Sequence, residues 1–291
     1  MKTVTFFNLG SLLLVLLNLN GWNGWNGNTN ATFDQQIHTQ LLAQTQELEY
    51  NLVAPSDEES YAQEFDSLGI ALHPGNTYKP ESNGSPRSLN RCKSLVYRTL
   101  KSLPSEPVKH LKNLTLYFSD TGRRGLGGGD TIILRCQNVT DEELVGVLVH
   151  EIGHIMDTGV MKGTRDTGIS SFMDGAKPVY EDDPSLNFYR LGWADEKTVR
   201  WNVTDKDFVS GYAMTDPYED FAETYAFYIL HGNEFRELMQ HNDILKKKYT
   251  FLKTRVFDGK EYFNGKDETE ADERHYDVTV LPYDITKFFA V

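Results

Sequence analysis

Two histidines with a glutamate beside the first are the residues of this chain most suited to metal chemistry. His150 and His154 stand four residues apart in the segment VHEIGH, and Glu151 lies between them. Residues at i and i+4 face the same side of a helix, so both imidazoles could reach one metal ion. In the H-E-x-x-H arrangement, Zn²⁺ lowers the pKa of a water to about 7 and the glutamate takes its proton. The alternative is two histidines that share a helix face by chance.

A catalytic zinc takes three ligands from the protein, so a third residue is needed. The extended pattern H-E-x-x-H-x-x-G-x-x-H fails, because Asp157 and Val160 occupy the Gly and His positions. Asp166, in the segment GTRD, is a second candidate. It resembles the G-T-x-D of aspartate-ligated zinc proteases, but the usual Y-G continuation is absent.

Glu219 is the third candidate, 65 residues after His154 in the segment GYAMTDPYEDFAETYAF. Glu219 and Glu223 are i and i+4 on a predicted helix, so one could be a ligand and the other a supporting acceptor. The alternative for Glu219 is a capping box with Asp216. That alternative leaves Glu223 unexplained, and a carboxylate pair among apolar residues is costly unless a cation compensates for it.

Asp157 has two interpretations. A carboxylate near the end of a helix opposes the helix dipole, so its position there is unfavourable unless it has a partner. At i+3 from His154 it could accept the second N–H of that ring, which zinc-ligating histidines usually donate to a carboxylate or carbonyl. Neither interpretation is favoured by the sequence.

The elements that must position these residues are two helices and a small sheet. Thr140 and Glu143 form a T-x-x-E capping box, apolar residues follow at helical spacing, and Gly159 predicts the end of the first helix. The second helix begins at Asp216-Pro217 and stops at Gly232. Alternation and turn signals predict further elements: a helix from Pro86 to before Pro104, strands over 114–118 and 131–134, helical stretches over 234–253, and a strand pair over 276–281 and 283–289.

A glycine-rich stretch, residues 125–129, precedes the second of these strands. Residues 127–134 could form a sheet edge that receives an extended peptide, because glycines let a second backbone approach closely. The alternative is that the glycines only make a turn.

Composition and charge restrict the partners and the location. The chain has 291 residues and a net charge of −13. No dense Lys/Arg run occurs, so nucleic acid is not an expected partner. An apolar stretch behind Lys2 predicts a cleaved signal peptide over residues 1–21, and the alternative is an uncleaved anchor. With no other run of membrane length, the mature chain is expected to be exported without stable membrane insertion. Residues 22–85 are expected to be flexible or weakly helical, and residues 86–291 to form the domain.

Two cysteines, Cys92 and Cys136, remain in the exported chain. In an oxidising compartment they could form a disulfide, and the alternative is two unrelated buried thiols. The sequence does not favour either.

The segments HEIGHIMD and YAMTDPYEDFAE together resemble the catalytic domain of anthrax lethal factor and the bacterial Pro-Pro endopeptidases, which are secreted gluzincins. The resemblance covers about residues 114–230. It implies a zincin-like α+β domain, with a small sheet packed on the H-E-x-x-H helix and a second zinc-ligand helix. It also implies His150, His154 and Glu219 as zinc ligands, Glu151 as general base, Tyr212 as a donor to the oxyanion, and Glu223 behind the ligands.

The expected function is therefore a secreted or extracytoplasmic zinc metalloendopeptidase that uses Zn²⁺ as its cofactor and a protein or peptide as its substrate. Two alternatives are a secreted binding or surface protein that keeps the fold without turnover, and a zinc hydrolase acting on a non-peptide amide.

Overall fold

A computed structural model of the chain describes residues 58–75, 86–119, 121–265 and 275–290. The predicted signal peptide and most of the segment that follows it lie outside the described residues. Helices and strands are mixed along the described chain, which is compatible with the predicted α+β metallopeptidase domain.

The main sheet has four strands in the order β1-β2-β4-β3. β1 and β4 both pair parallel with β2, whereas β3 pairs antiparallel with β4 and forms one edge. Alternate side chains of β2 and β4 are buried, so one sheet face lies on the core. The strands are β1, Ala71–Pro74; β2, Asn113–Tyr117; β3, Gly125–Gly128; and β4, Thr131–Arg135.

Three helices come before β4 in the chain: α1, Glu58–Ser67; α2, Pro86–Ser102; and α3, Ser105–His110. α1 and β1 precede residue 86, the predicted start of the domain. Phe65 and Ile70 are fully buried in the common core, so the sheet and core begin upstream of that boundary. The prediction missed this because only four residues of β1 pair with the sheet, too few to give a clear alternating pattern.

A disulfide joins Cys92 of α2 to Cys136, the residue after β4. It closes a loop with a sequence separation of 44 residues. The sequence did not decide between a disulfide and two separate thiols, and the structure contains the disulfide. The bond ties α2 to the strand that precedes the helix carrying His150 and His154.

That helix, α4, spans Asp141–His154 and is buried from Leu144 onward. The side chain of Thr140 accepts a hydrogen bond from the Glu143 N–H at 3.1 Å, which confirms the predicted N-cap. The predicted end at Gly159 is wrong in detail, because the chain winds on as a π-helical turn over Ile155–Val160. π-helical turns inside helices are rare and frequently occur at functional sites.

α6, Pro217–Leu230, packs across α4 and carries the two candidate glutamates. Its N-cap Asp216 accepts from the backbone N–H groups of Tyr218 and Glu219, as predicted. The helices meet at Gly153, where a Cβ would lie 3.0 Å from Ala222 Cα. A glycine inside a helix costs about 1 kcal/mol relative to alanine, and here its small size lets the second helix approach the histidines closely.

The stretch from 161 to 210, in which the sequence showed weak periodicity, holds a hairpin and a short helix. β5, Ile169–Asp174, pairs antiparallel with β6, Lys177–Tyr180, and α5 spans Leu186–Gly192. Gly175 in the connecting turn has φ +58°, a conformation that favours glycine.

Two helices follow α6: α7, Gly232–His241, and α8, Asp243–Phe251, which continues as a π-helical turn over Leu252–Val256. Lys248 of α8 contacts both carboxylate oxygens of Asp220 at 2.7 Å, and both side chains are fully buried. Breaking such a buried pair by removing one partner costs about 3–5 kcal/mol. The pair ties α6 to α8.

The predicted strand pair near residues 276–289 is wrong. Val278–Val280 is a single 3₁₀ turn and Ile285–Phe289 is a helix, α9. Asp277 accepts from the Thr279 N–H at 2.8 Å, and Asp284 accepts from the Thr286 N–H at 2.9 Å. These aspartates satisfy backbone N–H groups locally, which favours a helical turn over a strand ladder.

Within the described parts of the chain, no helix is both long enough and apolar enough to cross a membrane.

Candidate metal centre

The crossing of α4 and α6 brings three potential ligand atoms together. Glu219 Oε2 lies 3.1 Å from His150 Nε2 and 3.4 Å from His154 Nε2. Zinc bonds of about 2.0–2.1 Å in a tetrahedron place neighbouring ligand atoms about 3.3–3.4 Å apart. Two imidazole nitrogens and one carboxylate oxygen at this spacing therefore fit a zinc ion, with a fourth position left for water or substrate.

Glu151 lies beside the two histidines but on their β3 side. One potential ligand atom from each of His150, Glu151 and His154 lies within 4.8 Å of the others. The Glu151 carboxylate lies against Gly127 in the edge strand, and the nearby Gly127 N–H lowers its pKa. Its place next to the ligands, held by another element, suits a base that acts on a water molecule at the metal.

The ring of His150 is oriented by a buried carboxylate. Its Nδ1 lies 2.9 Å from Glu223 Oε1, and Glu223 is fully buried. A carboxylate can only accept, so Nδ1 carries the proton and Nε2 is left to bind a metal. The other oxygen of Glu223 accepts from Ser210 Oγ at 2.6 Å and from the Val278 N–H at 3.0 Å.

Tyr212 reaches the same centre from the turn before α6. Its hydroxyl donates to Glu219 Oε1 at 3.0 Å, and its ring lies 6.1 Å from that of His150, centroid to centroid. The backbone N–H of Tyr212 donates to Tyr276 O, which ties this turn to the segment 275–280. The phenol thus lies against the oxygen of Glu219 that does not face the histidines.

Asp157 takes a different partner from the one proposed in the sequence analysis. Both of its oxygens lie 2.7 Å from the Tyr189 hydroxyl, which donates to them. The π-helical turn after His154 changes the angular spacing, so a residue at i+3 is no longer placed as in an α-helix. The structure therefore supports a role for Asp157 with Tyr189 rather than with His154.

Asp166, the other aspartate considered as a ligand, is exposed in a single 3₁₀ turn, Arg165–Thr167. Glu219 instead approaches both histidines. The geometry favours Glu219 as the third ligand.

The charges of the centre shape one another. Burial opposes a charge on His150, but hydrogen bonds with Glu219 and Glu223 raise its pKa well above the usual value. Burial would raise the pKa of Glu219, yet its hydrogen bonds with the two histidines hold that pKa far below the ordinary range. A carboxylate that stays ionised is a ready metal ligand, and the metal would replace the proton that His150 holds without it.

Burial raises the pKa of both candidate catalytic groups, Glu151 and Tyr212. It raises the pKa of Glu151, partly offset by the nearby His150 and His154. Burial and the adjacent Glu219 carboxylate raise the pKa of Tyr212, so its hydroxyl keeps its proton at neutral pH. Glu151 is thereby made a stronger base, and Tyr212 a lasting donor.

A cavity of about 950 Å³ opens over the centre. One wall is the edge strand β3, and another is formed by the hairpin β5–β6, with Tyr212, Tyr218 and Tyr276 also among the lining residues. Tyr276 is 71% exposed. The cleft is large enough to hold several residues of a peptide.

Sequence reasoning missed Ser210 and the segment 275–280, which support Glu223 and Tyr212 through hydrogen bonds. No periodic pattern marks a lone serine, and two of the bonds use backbone atoms that any residue offers. The Ser-Gly-Tyr sequence over 210–212 was a weak signal, because serine and glycine favour turns.

A sequence model of the family described as "Putative zinc-binding metallo-peptidase" matches residues 138–269, slightly less than half of the chain. The match spans both metal-site helices, and it supports the prediction of a zinc-binding peptidase, a hydrolase that acts on protein or peptide substrates. No curated protein matches the chain. No solved structure matches it either.

Proposed function

We propose that the protein is a secreted zinc-dependent endopeptidase of the gluzincin type, similar to the lethal factor and Pro-Pro endopeptidase catalytic domains. The observation that carries this proposal is the approach of Glu219 to both histidines, at 3.1 and 3.4 Å, from a separate helix. His150, His154 and Glu219 would hold the ion. When bound, Zn²⁺ polarises the scissile carbonyl and lowers the pKa of a water molecule to about 7.

Glu151 accepts the proton of that water and can pass it to the leaving nitrogen. Burial raises the pKa of Glu151, so the carboxylate binds the proton of the water more readily. Gly125 and Gly127 lie against the carboxylate on its β3 side. Tyr212 donates to the oxygen that becomes negatively charged, after turning its hydroxyl from Glu219 toward the substrate. A hydroxyl donor beside the developing negative charge stabilises the transition state.

The substrate binds as an extended strand along β3, the free edge of the sheet beside Glu151. Main-chain hydrogen bonds there are independent of side chains and would hold many sequences. Preference between peptides would then come from the cavity walls, including the exposed ring of Tyr276.

The disulfide between Cys92 and Cys136 supports the proposal of export, because disulfides persist in oxidising compartments. The predicted signal peptide lies outside the described residues. N-terminal sequencing of protein recovered outside the producing cell tests it. A first residue shortly after residue 21 is expected, and an intact Met1 contradicts the prediction.

The decisive experiment for the function compares the wild type with Glu151→Gln on a broad peptide library, with zinc measured in both. The amide cannot take a proton from water, so we expect zinc and fold to be kept and nearly all turnover lost. A wild-type protein that holds zinc but cleaves no peptide favours a non-catalytic binding protein. Turnover of non-peptide amides alone favours the other hydrolase.

A further inference from the structure

Strand β3 and the turn after it contain four glycines with two different roles. Gly128 and Gly129 have φ values of +155° and +60° and form the turn into β4. Gly125 and Gly127 have no such positive φ, so their backbone conformation is open to other residues. A turn therefore explains the last two glycines of the stretch and leaves Gly125 and Gly127 unexplained.

The pairing with β4 shows where the main-chain groups of β3 point. Arg135 N–H donates to Arg124 O at 2.9 Å, so these opposed residues form a hydrogen-bonded pair. Hydrogen-bonded and non-bonded pairs alternate along an antiparallel ladder. Gly125 and Gly127, opposite Leu134 and Ile132, are therefore non-bonded positions whose N–H and C=O groups point to the free edge.

The space next to these two glycines is filled by Glu151. A Cβ on Gly125 would overlap Glu151 Oε1 and lie 2.8 Å from Glu151 Cδ. A Cβ on Gly127 would lie 2.8 Å from both Oε2 and the main-chain oxygen of Glu151. Real Cβ atoms are essentially never found at such distances, so alanine at either position would displace the glutamate.

We propose that Gly125 and Gly127 are positioning residues for Glu151. Their missing side chains form a slot on β3 that receives the carboxylate, whose two oxygens lie where Cβ atoms on these residues would need to be. The inference rests on the proposed role of Glu151 as general base.

A rival explanation is that these glycines only let the substrate backbone come close. The Cβ positions lie on the side of the strand that faces α4, where the carboxylate and Val147 already fill the space. The substrate would pair in the plane of the sheet, through groups that alanine also has. The geometry therefore assigns the glycine requirement to the enzyme's own glutamate.

The first test is steady-state kinetics of zinc-loaded Gly125→Ala with one peptide substrate. Because a misplacement of about 1 Å in a reacting group can cost about 10²-fold in rate, we expect kcat to fall about 10- to 10²-fold with KM changed by less than about threefold. Gly192→Ala is the control, because its Cβ would meet atoms no closer than 3.4 Å. A raised KM with normal kcat would overturn the proposal in favour of the substrate explanation.

The second test needs no activity. Gly125→Ala should lower Tm in the wild-type background and lower it much less in the Glu151→Ala background, where two of the three nearest atoms are gone. Gly127→Ala is the comparison, since its contact with the main-chain oxygen of Glu151 remains and less rescue is expected. An equal loss of Tm from Gly125→Ala in both backgrounds would show that Glu151 does not occupy the slot.

The two proposals fail in different ways. If Glu151→Gln remains active, Glu151 is not the general base. The coupling between Gly125 and Glu151 in Tm would still show whether the glutamate occupies the slot. An inactive Glu151→Gln variant together with wild-type kcat in Gly125→Ala removes the positioning role and leaves the proposed function standing.

Discussion

His150 Nδ1 and Glu223 Oε1 lie 2.9 Å apart, although 73 residues separate them in the chain. The pair joins the two helices of the centre and sets which nitrogen of His150 faces Glu219. Three donors share the two oxygens of Glu223: the His150 ring, Ser210 Oγ and the Val278 N–H. The carboxylate therefore couples the ligand to two further parts of the fold.

Glu223→Gln is expected to weaken zinc binding about 10- to 100-fold, the usual cost of losing such a supporting partner. The glutamine amide offers one accepting oxygen, so at least one of the three donors faces an NH₂ group. A competition titration with a zinc chelator measures the affinity. Ser210→Ala, which removes one donor and keeps the carboxylate, should have a smaller effect. Equal affinity in Glu223→Gln and the wild type would contradict this role.

Glu219→Ala should lose bound zinc, because three-ligand binding falls to two. Asp166→Ala should keep about one zinc per chain, since Asp166 is exposed on a 3₁₀ turn and is not among the residues that approach His150 and His154. Metal analysis after dialysis against a weak chelator checks both variants. Zinc lost from Asp166→Ala and retained by Glu219→Ala would reverse the ligand assignment.

Tyr212→Phe should cut kcat by about 10²- to 10³-fold, the usual cost of one oxyanion donor, with a smaller change in KM. The structure adds a competing role, because the hydroxyl donates to Glu219 at 3.0 Å. The zinc content of Tyr212→Phe separates the two roles. If Tyr212 only donates to the oxyanion, the variant keeps its zinc, whereas if Tyr212 supports Glu219, the variant loses zinc. Wild-type rates at full zinc occupancy would remove Tyr212 from both roles.

Asp157→Asn should gain stability relative to the wild type as pH rises. Burial raises the pKa of Asp157 well above 3.8, although the nearby Ser185 side chain and the hydrogen bond from Tyr189 oppose this. The folded state then binds the proton more tightly than the unfolded chain does. Asp157 therefore costs stability progressively as pH rises from about 3.8 through its raised folded value.

The free energy of unfolding of zinc-loaded protein, measured in denaturant at several pH values from 4 to 8, checks this. The difference in this free energy between Asp157→Asn and the wild type should shift in favour of the variant as pH rises, because asparagine cannot ionise, and it should stay constant for the exposed control Asp166→Asn. A slope identical to the wild type in Asp157→Asn would contradict the prediction.

The parts of the centre that were predictable from sequence are those with short-range signals. His150, Glu151 and His154 follow from helical spacing and a capped helix, and the structure places all three as expected. Glu219 needed a further signal, the resemblance of its segment to a known family, because 65 residues separate it from His154. Its approach to both histidines depends on tertiary packing at Gly153, which spacing alone does not reveal.

The parts that were missed or wrong depend on contacts between distant segments. Asp157 was assigned from α-helical geometry, but the chain changes to a π-helical turn directly after His154. Residues 276–289 alternate like strands, yet aspartate side chains cap helical turns there. Gly125 and Gly127 differ from Gly128 and Gly129 only in what lies beside them, which a glycine-rich sequence does not show.

The support that residues 275–280 give to the centre has a consequence for its synthesis. Val278, which donates to Glu223, is 55 residues later in the chain. Ribosomes add about 5–20 residues per second, so roughly 3–11 s pass between the translation of these two residues. Until the later segment emerges, Glu223 lacks one of its donors and Tyr212 lacks its backbone partner. The order of translation therefore places completion of the candidate metal centre after synthesis of the two helices that carry its residues.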